Sequence, residues 1–175
     1  SNIETLYQSR LLSSNNVLKA LVNPFCYVDS TLYGMYSTDD LRRSLYYSTV
    51  SGHPTLRPGY TGSIFLFTGL ANDEIYLIKA ECLARTGNYT AGLEALNTLL
   101  VKRWSSGTFV PLTASNANDA LDIILQERRK ELSFRGLRWC DLRRLNKEGR
   151  NITIRRKVSG NDFELIPNSK KYVLP

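Results

Sequence analysis

The stretch Glu127 to Leu145, ERRKELSFRGLRWCDLRRL, constrains this chain more than any other. Charged residues there are interleaved with Leu132, Phe134, Leu137, Trp139 and Leu142, so ions and large apolar groups must share one compact corner. An unpaired charge is prohibitive in such a place, whereas a carboxylate held by a guanidinium is tolerated. On a helical wheel Glu127 and Glu131 fall in line with Ile124, and Arg128 falls between Leu121 and Leu132, which draws these charges into the apolar face. The expected result is an internal ion network of Glu127, Arg128, Glu131, Arg138, Asp141 and Arg144, with arginine stacked on Trp139.

Upstream, residues 72–103 read as a helix pair. Asn72 is expected to cap a helix opening with Asp73 and Glu74, and Ile75, Tyr76, Ile78, Ala80, Cys82, Leu83 and Ala84 give it an apolar surface too wide for one stripe. Contacts on two sides are therefore expected. Gly87 supplies a left-handed stop, and a second helix from about Thr90 to Lys102 returns antiparallel. The pair resembles a tetratricopeptide repeat unit in its Tyr76, Ala80, Leu83, Gly87, Tyr89 and Leu96, with Gly92 in place of the usual alanine. One repeat cannot bury both faces, so other helices or further sequence must complete the stack.

Residues 118–146 hold the next two helices, the first opened by Asn116 or Asn118 and running to about Phe134, the second from about Trp139 to Leu145 after a break at Gly136. Residues 1–23 suit one or two short helices. Residues 25–70 form a loop-rich excursion in which Ser37 or Thr38 caps a short helix, Asp39 and Asp40 fill its first turn, and Ile64 to Phe67 is a short strand. Beyond Gly149 the alternation of Ile152, Ile154 and Val158, a turn at Gly160-Asn161 and the run Phe163 to Ile166 predict a hairpin, followed by an extended Lys171 to Leu174. With 42% hydrophobic residues in 175, the chain can bury one core, and residues 1–175 are read as a single domain. The fold class is mainly α, with tetratricopeptide-like helical hairpins, a loop-rich insertion and a small C-terminal β-hairpin.

Catalytic constellations lack their parts. There is one histidine, His53, and the scattered Cys26, Cys82 and Cys140 have no partners at metal-ligand spacing, so neither a metal nor a cofactor is expected. No Gly-x-Ser-x-Gly elbow or phosphate-cradling glycine loop occurs, and arginines around Glu127 and Glu131 hold them ionised, the opposite of what a general acid needs. The chain is read as no enzyme. No apolar run is long enough to span a bilayer as a helix. The net charge of +7, with more than half of the 23 basic residues between Arg128 and Lys157, suggests an anionic partner. Interleaving with core residues uses up those arginines, and no nucleic acid is expected.

The string ERRKELSFRGLRWCDLRRL resembles the C-terminal signature of the SusD/RagB family, which Glu127, Arg128, Arg129, Glu131, Leu132, Phe134, Gly136, Arg138, Trp139, Asp141, Leu142 and Arg144 all fit. Arg135 departs from it, standing where the family usually has an acid. The segment DEIYLIKAECLARTGNYTAGLEALNTLLVKRW is similar to the helix pair that precedes that signature, and Asp40 and Arg42 look like the family's Asp-x-Arg segment. The resemblance implies a longer, lipid-anchored, surface-exposed protein of the bacterial outer membrane, of which this chain is a C-terminal portion or a small relative. It further implies that the protein binds glycans or other nutrients and delivers them to a SusC-like TonB-dependent transporter. No binding residue transfers by motif. From the residues themselves, exposed aromatic faces beside hydrogen-bonding groups suit a sugar, and Tyr33, Tyr36 and Tyr60 are the candidates. The alternative is a helical-repeat scaffold that binds protein or nucleic acid through its basic face.

Overall fold

Helices dominate the structure, a computed structural model that describes residues 3–9, 26–57, 67–167 and 169–172. The chain divides into two compact units, 1–135 and 136–175. The first contains β1 (Thr5–Ser9), α1 (Ser30–Gly34), α2 (Leu41–Tyr46), β2 (Tyr47–Val50), β3 (His53–Leu56), β4 (Thr68–Ala71), α3 (Asn72–Arg85), α4 (Tyr89–Leu100) and α5 (Ala117–Glu131). The second contains α6 (Arg138–Lys147), β5 (Ile154–Val158), β6 (Asn161–Leu165) and a 3-10 turn, Lys170–Tyr172.

In the first unit α3 packs on α4 and α5, and α4 packs on α5. Leu77, Ala80 and Ala84 of α3, Leu93, Leu96, Leu99 and Leu100 of α4, and Ala120 and Ile124 of α5 are its buried apolar residues. Asn88 caps α4 by accepting from the Ala91 amide, and Asn116 caps α5 by accepting from Asp119. Of the two openings allowed for the latter helix, Asn116 is the one used. The first helix of the pair starts differently from expectation. Asn72 is its first residue and no side chain caps it, because β4 runs straight into α3 and the Asn72 amide donates to the Glu4 carbonyl at the edge of β1. The wide apolar surface of α3 is also covered on one side only. Both helical neighbours meet its Leu77 and Ala80 face, and Ile75, Ile78 and Cys82 on the opposite face stay exposed.

Gly92 is a requirement of the packing. A Cβ built there would lie 2.8 Å from the Ala80 carbonyl oxygen, so α3 and α4 approach as closely as a glycine permits. Gly69 serves the same purpose in β4, where a Cβ would collide with the Tyr7 carbonyl of β1.

The excursion is more ordered than its composition suggests. β2 and β3 form a hairpin whose turn, Ser51-Gly52, has positive φ at both residues. That pattern matches a tight primed hairpin turn, which the Ser-Gly pair did not advertise as Asn-Gly would. Val28, Tyr36 and Tyr47 form a buried aromatic cluster with Leu32, Tyr33, Tyr46 and Phe134 packed around it. The short helix is capped by Asp40 and not by Ser37 or Thr38, since the Asp40 carboxylate accepts from the Arg42 amide at 3.1 Å. β1 replaces the helical start expected over its residues by pairing antiparallel with β4. Residues 10–25, and positions 64–66 of the expected strand, lie outside the described residues.

In the second unit β5 and β6 form the predicted hairpin, turning at Ser159-Gly160, one residue earlier than expected. Lys170–Tyr172 is a 3-10 turn where an extended segment was expected. Within this unit Trp139 stacks on Tyr172 with ring centroids 4.9 Å apart, and Asn146 exchanges two hydrogen bonds with the Ile152 backbone.

Gly92→Ala is predicted to destabilise the fold. The gain in helix propensity, about 1 kcal/mol, is outweighed by overpacking against backbone, typically about 1–3 kcal/mol. A lower urea midpoint with unchanged slope is the expected reading, and a raised midpoint would contradict the close approach.

Candidate functional site

Two sets of side chains were candidates for function, the charged signature and the tyrosine-rich excursion. The charged set assembles around a residue outside the signature. Arg42 Nε and Nη2 donate to the two oxygens of Asp40 at 2.8 and 2.7 Å. Nη2 also reaches Glu127 Oε2 at 2.7 Å, and Nη1 reaches Glu131 Oε2 at 2.9 Å. Lys130 Nζ donates to Glu127 Oε1 at 2.8 Å and lies 3.0 Å from Asp40 Oδ2. Arg103 Nε takes Glu131 Oε1 at 2.7 Å, and its two terminal nitrogens fork onto Glu4 at 2.9 and 2.7 Å.

Both oxygens of Asp40, Glu127, Glu131 and Glu4 are thus held by cations. The segments are positioned by backbone as well, for Leu41 N donates to the Arg103 carbonyl and Ser105 N to the Asp39 carbonyl. Asp40, Arg42 and Glu131 are each 1% exposed. Burial by itself would raise the Asp40 carboxyl, but the Arg42 guanidinium and Lys130 hold it below the usual carboxylate range. Burial opposes the charge on Arg42 as well, and hydrogen bonding to Asp40 with the fields of Glu131 and Glu127 lifts its pKa above the ordinary arginine value. A carboxylate so held cannot serve as a proton donor. The arrangement joins four segments of the chain.

Of the residues expected to form one network, Glu127, Arg128 and Glu131 belong to the first unit and Arg138, Asp141 and Arg144 to the second. Glu127 and Glu131 meet Arg42, Lys130 and Arg103 as described, while Arg128 turns to α3, with Nη2 3.8 Å from Glu74 Oε1. Asp141 and Arg144 pair at 3.2 Å within the second unit, where Arg138 is the first residue of α6. Positive φ at Phe134 and Gly136 turns the chain between these groups. Arg135, the departure from the family pattern, bonds Asp73 at 2.6 Å and lies over the Phe67 ring at 4.6 Å. An acid at 135 would face the Asp73 carboxylate instead.

The tyrosines are sorted by burial. Tyr36 is 3% exposed, its hydroxyl donates to the Lys130 carbonyl at 2.8 Å, and the Arg42 and Lys130 cations lie 5.7 and 5.3 Å from its ring centre. With its ring and hydroxyl occupied, it offers no face to a ligand and is a packing residue. Tyr33 is half-buried, edge-on to Tyr47 and covered by the Arg43 guanidinium at 4.8 Å. Tyr60 lies outside the described residues. An aromatic pair that the sequence reading passed over is open to solvent: Tyr27, 49% exposed, stacks on exposed His53 with centroids 4.5 Å apart and planes at 30°. Its signal was faint, because His53-Pro54 resembles a loop until the Ser51-Gly52 turn is recognised. Among the described residues no group of three or more His, Cys, Asp and Glu is placed to hold a metal ion.

Comparison with known proteins gives consistent matches. The sequence model of a family described as the SusD family matches residues 73–171. A SusD-like protein of Formosa agariphila is 32% identical over 135 residues, which make up 74% of this chain and 25% of that protein. The solved structure of a SusD-like carbohydrate binding protein from Bacteroides vulgatus superposes with a TM-score of 0.58 at 21% identity, over 84% of this chain and 38% of that one. This chain therefore spans about a quarter of the length of the curated relative it matches.

Two predictions concern the network. Glu127→Ala should cost about 3 kcal/mol and Glu131→Ala somewhat more, in the range for stranding a buried ion, because Glu131 bridges two guanidinium groups. Unchanged denaturation midpoints would show these carboxylates to be merely solvated. The second prediction is alkaline. Burial raises the Tyr36 and Tyr47 hydroxyls above the ordinary tyrosine range. The stability this contributes is fully present below about pH 10 and lost as pH rises from there toward the higher folded-state values. Tyrosinate absorbance from these two rings should therefore appear together with loss of tertiary structure, and their titration in a folded chain would contradict the burial.

Proposed function

The chain belongs to the SusD family, and we propose that it is a non-enzymatic component of an outer-membrane nutrient-uptake system, one that binds an oligosaccharide and passes it to a SusC-like TonB-dependent transporter. In the full-length protein this places it at the cell surface, held by a lipid anchor. The ligand class rests on family membership and on the description of the Bacteroides vulgatus neighbour as carbohydrate binding.

The observation that carries the non-catalytic half of this reading is the closed network. The buried charges around Arg42 are occupied by one another at 2.7 to 3.0 Å, which supports an architectural role for them. Binding then falls to preformed surface rings, which hold a sugar by its C–H faces without any covalent step. The competing reading, a scaffold binding protein or nucleic acid through its basic face, is weakened by the same pairings. Lys130, Arg128 and Arg135 are engaged with carboxylates inside the first unit, and Arg129 lies 3.4 Å from Asp29.

A glycan array followed by calorimetry on the hits tests the proposal, with binding to neutral oligosaccharides that changes little with salt as the expected outcome. Binding to DNA or RNA with a steep salt dependence, and to no glycan, would overturn it in favour of the scaffold.

A further inference from the structure

We propose that the stacked Tyr27–His53 pair is the carbohydrate platform of this chain, taking an uncharged pyranose residue from within an oligosaccharide; this rests on the glycan-binding reading above. The two rings are fixed by backbone. Tyr27 bridges Thr55 antiparallel, and the Val28 amide donates to the Pro54 carbonyl at 2.7 Å, so the segment at 27–28 lines the free edge of β3. A proline is admissible in β3 because what this edge takes from Pro54 is its carbonyl and not the amide it lacks.

Val28 and Tyr27 differ in burial, and so do the two ends of β3. Val28 points into the aromatic cluster with Tyr36 and Tyr47, while Tyr27 points out. Thr55 and Leu56 are buried and His53, first in β3 after the tight turn, is exposed beside Tyr27. The result is a rigid pair of coupled rings standing on a packed base. Rings held in this way lose little conformational freedom when a ligand arrives.

The chemistry of the surroundings selects the ligand. Each ring covers one face of the other, and the remaining ring surface is apolar, open and edged by the Tyr27 hydroxyl and the imidazole nitrogens. A pyranose presents a patch of axial C–H groups with hydroxyls around its rim, which matches an aromatic face with polar edges. Asp29 stands two residues from Tyr27 with a half-exposed carboxylate. That carboxylate accepts from the Thr31 amide at 2.8 Å and lies 3.4 Å from Arg129. Purely structural use of the pair is the competing account. An aromatic pair this exposed contributes little to a fold, so structure and binding separate in experiment.

His53 is the single histidine of the chain, which gives the site its own reporter. Cellohexaose, maltohexaose, xylohexaose and mannohexaose are titrated in turn while the imidazole proton resonances are followed by NMR. At least one should shift and saturate them, and silence from all four overturns the platform. Tyr27→Ala and His53→Ala should each weaken that oligosaccharide by about tenfold or more, with the melting midpoint nearly unchanged, while Tyr27→Phe, which keeps the ring, stays near wild type. Tyr76→Ala, at an exposed ring of α3, is the control and should leave affinity unaltered. Affinity retained in Tyr27→Ala, or lost only in proportion to lost stability, overturns the proposal. Glycan hits on the array that leave His53 unmoved sink the platform and leave the family reading standing, whereas an array without hits sinks both.

Discussion

One guanidinium decides how the first unit is assembled. Arg42 is buried and touches three carboxylates, and removing so many charges from water costs several kcal/mol for each ion unless every hydrogen bond is made. Partial assembly of this cluster is worse than none, which ties the start of β1, the cap of α2, the exit of α4 and the last turn of α5 into one cooperative event. Net stability is a poor description of what such a cluster contributes. Its effect is to make other pairings of the same helices costly, because any other register strands a charge.

The aromatic excursion inherits its position from that cluster. Tyr36 lies against Arg42 and Lys130 on one side and belongs to the Val28–Tyr47 core on the other, with its hydroxyl on the Lys130 carbonyl. Tyr47 donates to Ser133 in the segment just after α5. The strand that carries Val28 therefore rests on rings that rest on the ions, and the outward Tyr27 takes its orientation at the end of that chain of contacts. The ion network thus positions the exposed ring pair through the aromatic cluster.

Much of this was legible in the sequence, and the reasons differ by element. The α3–α4 pair was readable because its signals are local: helical spacing of Leu93, Leu96 and Leu100 and a stop at Gly87. The burial of Glu127 and Glu131 was readable because helical phase sets which face a residue occupies. Their distant partners were not, since Arg42 and Arg103 reach them across the fold, and nothing in the spacing of a chain records a contact 89 residues away. Arg128 shared the signature and the phase but went to Glu74, which no wheel can anticipate. The β2–β3 hairpin was missed for a different reason, because a Ser-Gly turn and a proline in the second strand both argue locally against strands. Tertiary pairing with the segment at 27–28 overrode them, and the exposed pair of rings went unseen with it.

Residues 3–9 were expected within a helical start, and what they supply instead is a strand and an ion pair. The fork that Arg103 places on Glu4 changes where the fold can be cut. Trimming past Glu4 would remove no helix and little apolar surface, yet it would take away two of the three acceptors of a mostly buried guanidinium and the carbonyl that receives the first amide of α3. The practical edge of this unit is therefore set by an ion pair and not by where regular structure begins, and a boundary drawn at the first helix would fall inside the fold.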